Sequence, residues 1–64
     1  SQINDEKDIL GIVMKVMESN KTVVEEYKKG KTASLQYLIG QAMKESRGKA
    51  NPEILRKILV SKLV

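Results

Sequence analysis

Apolar residues recur every three or four positions in four separate runs, and this spacing restricts the chain to helical architectures. The first run is dense and sweeps about 200° of a helical wheel, and it comprises Ile9, Leu10, Ile12, Val13, Met14, Val16 and Met17. The later runs are Val23, Val24 and Tyr27; Leu35, Leu38, Ile39, Ala42 and Met43; and Ile54, Leu55, Ile58, Leu59 and Leu63. No segment alternates apolar and polar residues for long enough to predict a strand. We therefore predict an all-α fold, a compact bundle of three to four short helices.

Short polar segments separate the runs and predict where the helices begin and end. Helices favour a small polar side chain before the first turn and glycine after the last one. The predicted starts are Asn4, Ser19-Asn20, Lys31-Thr32 and Asn51-Pro52-Glu53, and the predicted stops are Gly30 and Gly48. A second helix is thus expected at about 22–29, and a third is expected to end at residue 46 or 47. Gly11 lies inside the first helix, where we expect it to mark a close helix–helix contact.

Length and composition exclude several functions. Sixty-four residues form one small domain, and the chain contains neither cysteine nor histidine. It therefore has no disulfide, no thiolate metal site and no histidine general base, and we predict no catalytic and no metal-binding residues. No apolar run approaches the roughly 20 residues that span a bilayer, so no membrane partner is expected. The chain begins at Ser1 rather than Met, which suggests a fragment of a longer protein.

Charge is divided unevenly along the chain. Residues 1–27 contain six acidic and three basic side chains, a net charge of −3, whereas residues 28–64 contain nine basic and two acidic side chains, a net charge of +7. An electropositive side of this kind attracts anionic partners. The same imbalance is also found on helical domains that bind no nucleic acid.

The segment from residue 40 to residue 52 concentrates this charge around a predicted turn. Lys44, Arg47 and Lys49 flank Gly48, with Glu45 as the single acid among them. A helix N-terminus beside cations can bind an anion, because its backbone N–H groups and dipole add to the side-chain charge. The alternative is that the glycine simply ends one helix, the next begins at Asn51, and the charges keep the turn soluble.

The polar face of the third helix extends this candidate site. Tyr37, Gly40, Gln41 and Lys44 lie opposite the apolar stripe, with Arg47 at the edge. A tyrosine ring can stack on an unpaired base, a glycine admits close approach of a backbone, and cations meet phosphates. Equally, Tyr37 can pack against a neighbouring helix, and Gly40 can be a helix–helix contact point.

Three blocks of sequence resemble a known family. The blocks are Asn20 with Glu25-Glu26-Tyr27-Lys28-Lys29-Gly30-Lys31, then Leu38-Ile39-Gly40-Gln41-Ala42-Met43-Lys44, then Gly48-Lys49-Ala50-Asn51-Pro52. Their order and spacing resemble the GatB/YqeY domain, and most closely the C-terminal tail of the GatB subunit of aspartyl/glutamyl-tRNA amidotransferases. The departures are mild: Ile39 and Ala42 stand where valine is frequent in the motif, and Tyr37 where phenylalanine is.

The resemblance implies a non-catalytic tRNA-binding tail domain of a cytoplasmic enzyme. The parent enzyme amidates Glu-tRNA(Gln) or Asp-tRNA(Asn) with ATP and magnesium at a site outside the tail, using ammonia that a companion subunit releases from glutamine. The tail would hold the body of tRNA(Gln) or tRNA(Asn), and other amidotransferase subunits would contact the rest of the chain. The positions that match the motif are Gly40, Gln41, Lys44, Gly48, Lys49 and Asn51. Two alternatives stay open: a protein-interaction module that docks on another subunit or domain, and a packing domain without a ligand.

Overall fold

Four helices account for most of the chain in the computed structural model, which describes residues 1–64. They are α1 (Glu6–Ser19), α2 (Lys21–Lys28), α3 (Ala33–Glu45) and α4 (Pro52–Leu63). The predicted all-α fold is confirmed, and the observed ends of α2 and α3 lie one or two residues from the predicted ones. None of the four helices combines the length and the apolar content that crossing a lipid bilayer requires.

The core lies where α1, α3 and α4 meet, and α2 packs mainly on α3. Its ten buried apolar side chains come from all four helices and from the turn before α4: Ile9, Val13, Val16, Val24, Leu38, Ala42, Ala50, Leu55, Leu59 and Leu63. Complete burial of a Leu, Ile or Val side chain contributes about 1.5–3 kcal/mol. The apolar spacing of the sequence therefore corresponds to a single shared core.

Helix α1 buries a narrower face than its apolar run predicts. Ile9, Val13 and Val16 are buried, and their i, i+4, i+7 spacing defines one stripe. Met14 is 50% exposed and lines an open groove together with Val24 and Glu25 of α2. Met14 therefore belongs to the apolar run of the sequence but not to the buried core.

The caps of the first two helices differ from the predicted ones. Asp5, not Asn4, caps α1, and its carboxylate accepts hydrogen bonds from the backbone N–H groups of Lys7 and Asp8 at 2.8 and 3.4 Å. A carboxylate is well suited to this position because the helix dipole favours negative charge there. Asn20 precedes α2 without capping it, since its side-chain amide donates to a carbonyl of α1 at 2.8 Å.

Two glycines in the first half of the chain have different roles. Gly30 ends α2 as predicted, with a φ of +109° that side-chain-bearing residues rarely adopt. Its N–H donates to the Tyr27 carbonyl and the N–H of Lys31 donates to the Glu26 carbonyl, both at 3.0 Å, which is the Schellman pattern. Gly11 lies on the exposed side of α1, and a Cβ built there meets no atom within 4 Å. The close helix contact expected at Gly11 is therefore not present.

The segment before α1 pairs with the turn between α3 and α4. The N–H of Ile3 donates to the Lys49 carbonyl at 2.7 Å, and the N–H of Asn51 donates to the Ile3 carbonyl at 2.8 Å. The side-chain amide of Asn51 also donates to the amide oxygen of Asn4 at 2.9 Å. Three hydrogen bonds thus hold this turn against the beginning of the chain.

Candidate nucleic-acid interface

One exposed stripe runs along α3, and we call it the α3 stripe. It consists of Tyr37, Gly40 and Lys44, whose i, i+3, i+7 spacing keeps them on one face, and Gln41 lies half-buried at its edge. Tyr37 is 51% exposed. Gly40 is exposed, and a Cβ built on it meets no protein atom within 4 Å, so Gly40 is not a helix–helix contact point. The stripe is therefore a free surface about 10 Å long, from the 1.5 Å rise per residue.

The stripe leads into the turn at residues 46–50, which we call the basic turn. Helix α3 ends in a second Schellman pattern, in which the N–H of Gly48 donates to the Met43 carbonyl at 2.8 Å and the N–H of Arg47 to the Lys44 carbonyl at 3.0 Å. Arg47 holds the left-handed position at φ +57°, and Gly48 follows at φ +76°. The helix-terminating left-handed residue predicted at Gly48 is therefore Arg47, one position earlier, although glycine is the residue that this position favours.

Ser46 fixes the path of the basic turn from inside. Its hydroxyl donates to the Met43 carbonyl at 3.0 Å and accepts from the Ala50 N–H at 3.1 Å. Ser46 is 8% exposed and Ala50 is 1% exposed, so the Ala50 N–H would have no access to water as an alternative partner. Arg47, Gly48 and Lys49 are the exposed residues between these two buried anchors.

The N-terminus of α4 does not offer the free amides that the sequence suggests. The side-chain oxygen of Asn51 accepts from the N–H groups of Glu53 and Ile54 at 3.0 and 3.3 Å. Pro52 has no N–H group, and the N–H of Leu55 donates to the Asn51 carbonyl at 3.0 Å. The prediction that Asn51 caps α4 is confirmed, whereas the prediction of an anion site built on bare amides at this helix end is wrong.

The side-chain charges at the end of α3 are free to face an external anion. Lys44, Arg47 and Lys49 are exposed, and none of them forms an ion pair. Glu45, the one acid in the segment, pairs instead with Lys15 of α1, at 2.7 Å between Oε2 and Nζ. The hydrogen bond to Glu45, helped by the carboxylate charge, raises the pKa of Lys15 above its ordinary value of 10.5. Lys15 thus neutralises the carboxylate that would otherwise oppose an anion at this end of the molecule.

The structure adds residues that sequence reasoning missed and gives no sign of a metal centre. Ser46 and Ile3 shape the basic turn, yet neither is singled out by the sequence pattern. A lone apolar residue ahead of a capping position and a serine beside a helix end are weak signals, because both are common on ordinary surfaces. No group of three or more Asp, Glu, His or Cys side chains is placed to hold a metal ion.

Comparison with known proteins agrees with the sequence blocks that frame this site. The family model described as the GatB domain matches residues 1–63. The chain belongs to the GatB domain family. The matched range includes the whole α3 stripe and the basic turn, so the described surface is part of a GatB domain.

Curated relatives of this GatB domain are named as the GatB subunit of aspartyl/glutamyl-tRNA(Asn/Gln) amidotransferase. The protein of Caldanaerobacter subterraneus subsp. tengcongensis is 50% identical over 97% of this chain, which covers 13% of that protein. The Pseudothermotoga lettingae protein is 48% identical over 91% of the chain and 12% of that protein. The Lactobacillus delbrueckii subsp. bulgaricus protein is 41% identical over 98% of the chain and 13% of that protein. The chain thus spans about an eighth of the length of these relatives, and no solved structure gives a significant match to it.

Proposed function

We propose that this GatB domain is a non-catalytic tRNA-binding module of an aspartyl/glutamyl-tRNA(Asn/Gln) amidotransferase. In this role it holds the body of tRNA(Gln) or tRNA(Asn) while the acceptor end is amidated elsewhere in the enzyme. The relatives that carry a closely similar segment are named as the GatB subunit of that enzyme. ATP, magnesium and the other subunits would then be used by parts of the enzyme outside residues 1–64.

The observation that carries the proposal is the group of three unpaired cations at one end of the α3 stripe. Lys44, Arg47 and Lys49 lie within six residues, and Glu45, the one acid between residues 40 and 52, is held by Lys15. RNA phosphates bind such cations by Coulomb attraction with release of counterions, and a neutral aromatic ring beside them suits RNA better than a purely ionic partner. Tyr37 and Gly40 supply that ring and the room next to it.

Within this proposal each predicted residue has a distinct part. Lys44, Arg47 and Lys49 contact phosphates. Tyr37, Gly40 and Gln41 form the surface beside them. Gly48 and Asn51 act indirectly, since Gly48 continues the turn in a left-handed conformation and Asn51 uses its side chain to cap α4 and to bind Asn4.

An amide-shift titration of the 64-residue chain with folded tRNA transcripts tests the proposal. Shifts should cluster at residues 37–50. If about four phosphates are neutralised, log affinity should fall with log salt at a slope of roughly −3. Between 50 and 200 mM salt this slope corresponds to a loss of about 60-fold. Silence at these residues with every tRNA would refute the proposal.

Single lysine variants sharpen the same titration. Lys44→Ala and Lys49→Ala should each weaken binding and reduce the magnitude of the salt slope by about 1. Lys62→Ala is the matched control, because Lys62 is also an exposed, unpaired lysine but lies in the last turn of α4. Equal losses in all three variants would indicate attraction by net charge alone rather than a site on α3.

The alternative function is docking of this surface on another subunit or domain of the enzyme. The exposed ring of Tyr37 is the observation that favours it, since tyrosine is enriched at protein interfaces. In that case the amides of the α3 stripe respond to the amidotransferase partner subunits and stay silent with tRNA. The two titrations, performed on the same labelled protein, separate the alternatives.

A further inference from the structure

A groove between α2 and α3 shares Tyr37 with the α3 stripe. Six residues line it: Val23, Glu26, Lys31, Ala33, Ser34 and Tyr37. Its volume is about 270 Å³, which is below the range of pockets for drug-sized ligands but sufficient for one planar ring. Val23 and Ala33 give it apolar walls, and the other four residues carry polar groups.

The first unusual residue in the groove is Ser34. It is only 4% exposed, yet its hydroxyl takes part in none of the side-chain hydrogen bonds of the protein. Most buried polar side-chain atoms have a partner. No polar side-chain atom that is sealed from solvent lacks one here, so the Ser34 hydroxyl keeps a small opening to the outside, and the groove is the cavity that Ser34 lines. A ligand in the groove would supply the missing partner.

The second is the ring of Tyr37, which is left open by its small neighbours. Its neighbours one turn before and almost one turn after are Ala33 and Gly40, and the ring stays 51% exposed although Gln41 follows it by four positions. Helical side chains lean towards the preceding turn, which places the ring over Ala33 and Ser34. An open aromatic face next to an unpartnered hydroxyl can stack on a flat, polar ring and hydrogen-bond its edge.

The third is the ion pair at the rim of the groove. Lys31 Nζ and Glu26 Oε1 are 3.6 Å apart, longer than the 2.7–2.9 Å of a charge-assisted hydrogen bond. Both groups therefore keep hydrogen-bonding capacity for another partner. The Glu26 carboxylate can accept only, which suits an amino group on a ligand edge, whereas Lys31 can donate to a ring oxygen or a phosphate.

We propose that this groove binds one unpaired nucleobase, stacked on Tyr37 and hydrogen-bonded to Ser34 and Glu26. The inference rests on the proposed function, because the base belongs to the same RNA whose phosphates meet the basic turn. The proposed contacts also predict which bases bind best. Adenine, cytosine and guanine offer the Glu26 carboxylate an exocyclic amino group, whereas uracil offers only its N3–H, whose two flanking carbonyl oxygens repel a carboxylate, so uracil binds most weakly.

Nucleoside 5′-monophosphates, with ribose 5-phosphate as the baseless control, test the groove without a folded RNA. Each is titrated into the isotope-labelled 64-residue chain at millimolar concentration. The amides of Val23, Ser34 and Tyr37 should shift with AMP, CMP and GMP, less with UMP, and not with ribose 5-phosphate. Equal shifts with the baseless control would show phosphate binding alone and would overturn the proposal.

Two variants locate the contacts. Ser34→Ala should weaken AMP binding about fivefold, the value of one hydrogen bond, without lowering the thermal midpoint, because the hydroxyl has no partner in the fold. Tyr37→Ala should weaken it about tenfold through lost stacking. Lys62→Ala is the control, because Lys62 lies in the last turn of α4 and does not line the groove, and it should leave AMP binding unchanged. If Ser34→Ala and Tyr37→Ala bind AMP as strongly as the unmodified chain does, the proposal that the groove binds a base is also refuted.

The failure of the groove and the failure of the proposed function give different results. If tRNA shifts residues 44–50 but nucleotides leave the groove amides silent, the groove is not a base site and the tRNA-binding function stands. If nucleotides occupy the groove but folded tRNA binds nowhere, the base site stands and its assignment to tRNA falls.

Discussion

Replacing Arg47 with glycine is expected to stabilise the fold although it removes a cation from the proposed binding surface. Arg47 is the one non-glycine residue with a positive φ, at +57°, and it occupies the Schellman position that Gly30 occupies at the end of α2. A left-handed conformation costs a side-chain-bearing residue about 1–2 kcal/mol. Glycine avoids that cost but loses about 0.5–1 kcal/mol through its greater freedom in the unfolded chain. The net stabilisation should be about 0.5–1 kcal/mol, or roughly 4 °C in the thermal midpoint.

Thermal unfolding followed by circular dichroism measures this difference, and Arg47→Ala is the matched control. The alanine variant removes the same side chain and keeps the left-handed strain, so its midpoint should stay near that of the unmodified chain. Because Arg47 forms no ion pair, loss of its charge alone should matter little. An Arg47→Gly variant no more stable than Arg47→Ala would refute the reasoning. Under the proposed function, both variants should weaken tRNA binding equally.

Three further predictions concern the supports of the binding surface. Ser46→Ala should lower the free energy of unfolding by about 1–3 kcal/mol in urea titrations, because the buried N–H of Ala50 loses its acceptor. Ser61→Ala is the control: it removes an exposed side-chain hydrogen bond and should change the free energy of unfolding by much less. Asn51→Ala should cost about 1 kcal/mol through loss of the α4 cap, and Asn51→Asp should retain most of the stability; equal losses would count against the cap. The ion pair of Lys15 with Glu45 stabilises the fold while Lys15 is charged. Since its pKa is raised in the folded state, this stabilisation is complete below about pH 10.5 and is lost as pH rises through the higher folded-state value. The stability difference between the unmodified chain and Lys15→Gln should therefore disappear in strongly alkaline titrations, and a constant difference would contradict it.

The helices and most of the core follow from the sequence because the responsible signals are local. The i, i+4 spacing of Leu55 and Leu59, the glycine at position 30 and the Asn51-Pro52 start each act within one or two turns. The residues whose burial differs from the local pattern are determined by tertiary contacts. Met14 matches the apolar pattern of α1, but it lies in an open groove between α1 and α2, and its exposure depends on where those two helices lie.

The candidate site is less predictable from the sequence, because neighbouring residues can exchange their local roles and only the folded structure shows which one takes each role. Either Arg47 or Gly48 could hold the first left-handed position after α3, and the choice changes the direction of the arginine side chain. The acid Glu45 lies among cations in the sequence, yet its partner is Lys15, thirty positions earlier. The unpartnered hydroxyl of Ser34 leaves no trace in the sequence, since serine is ordinary in the first turn of a helix.

The pairing of Ile3 with Lys49 and Asn51 joins the two ends of the segment that holds the first three helices, and the Asn4–Asn51 hydrogen bond spans 47 positions. Contacts between residues this far apart in the sequence form only after the entropy cost of closing a long loop has been overcome. We therefore expect the basic turn to reach its final conformation late in folding. The backbone proton of Asn51 is bonded to the Ile3 carbonyl, and its hydrogen-exchange rate therefore reports how often the beginning of the chain detaches. Each detachment also breaks the hydrogen bond from the Ile3 N–H to the Lys49 carbonyl. The position of Lys49 is therefore maintained only while Ile3 remains bound.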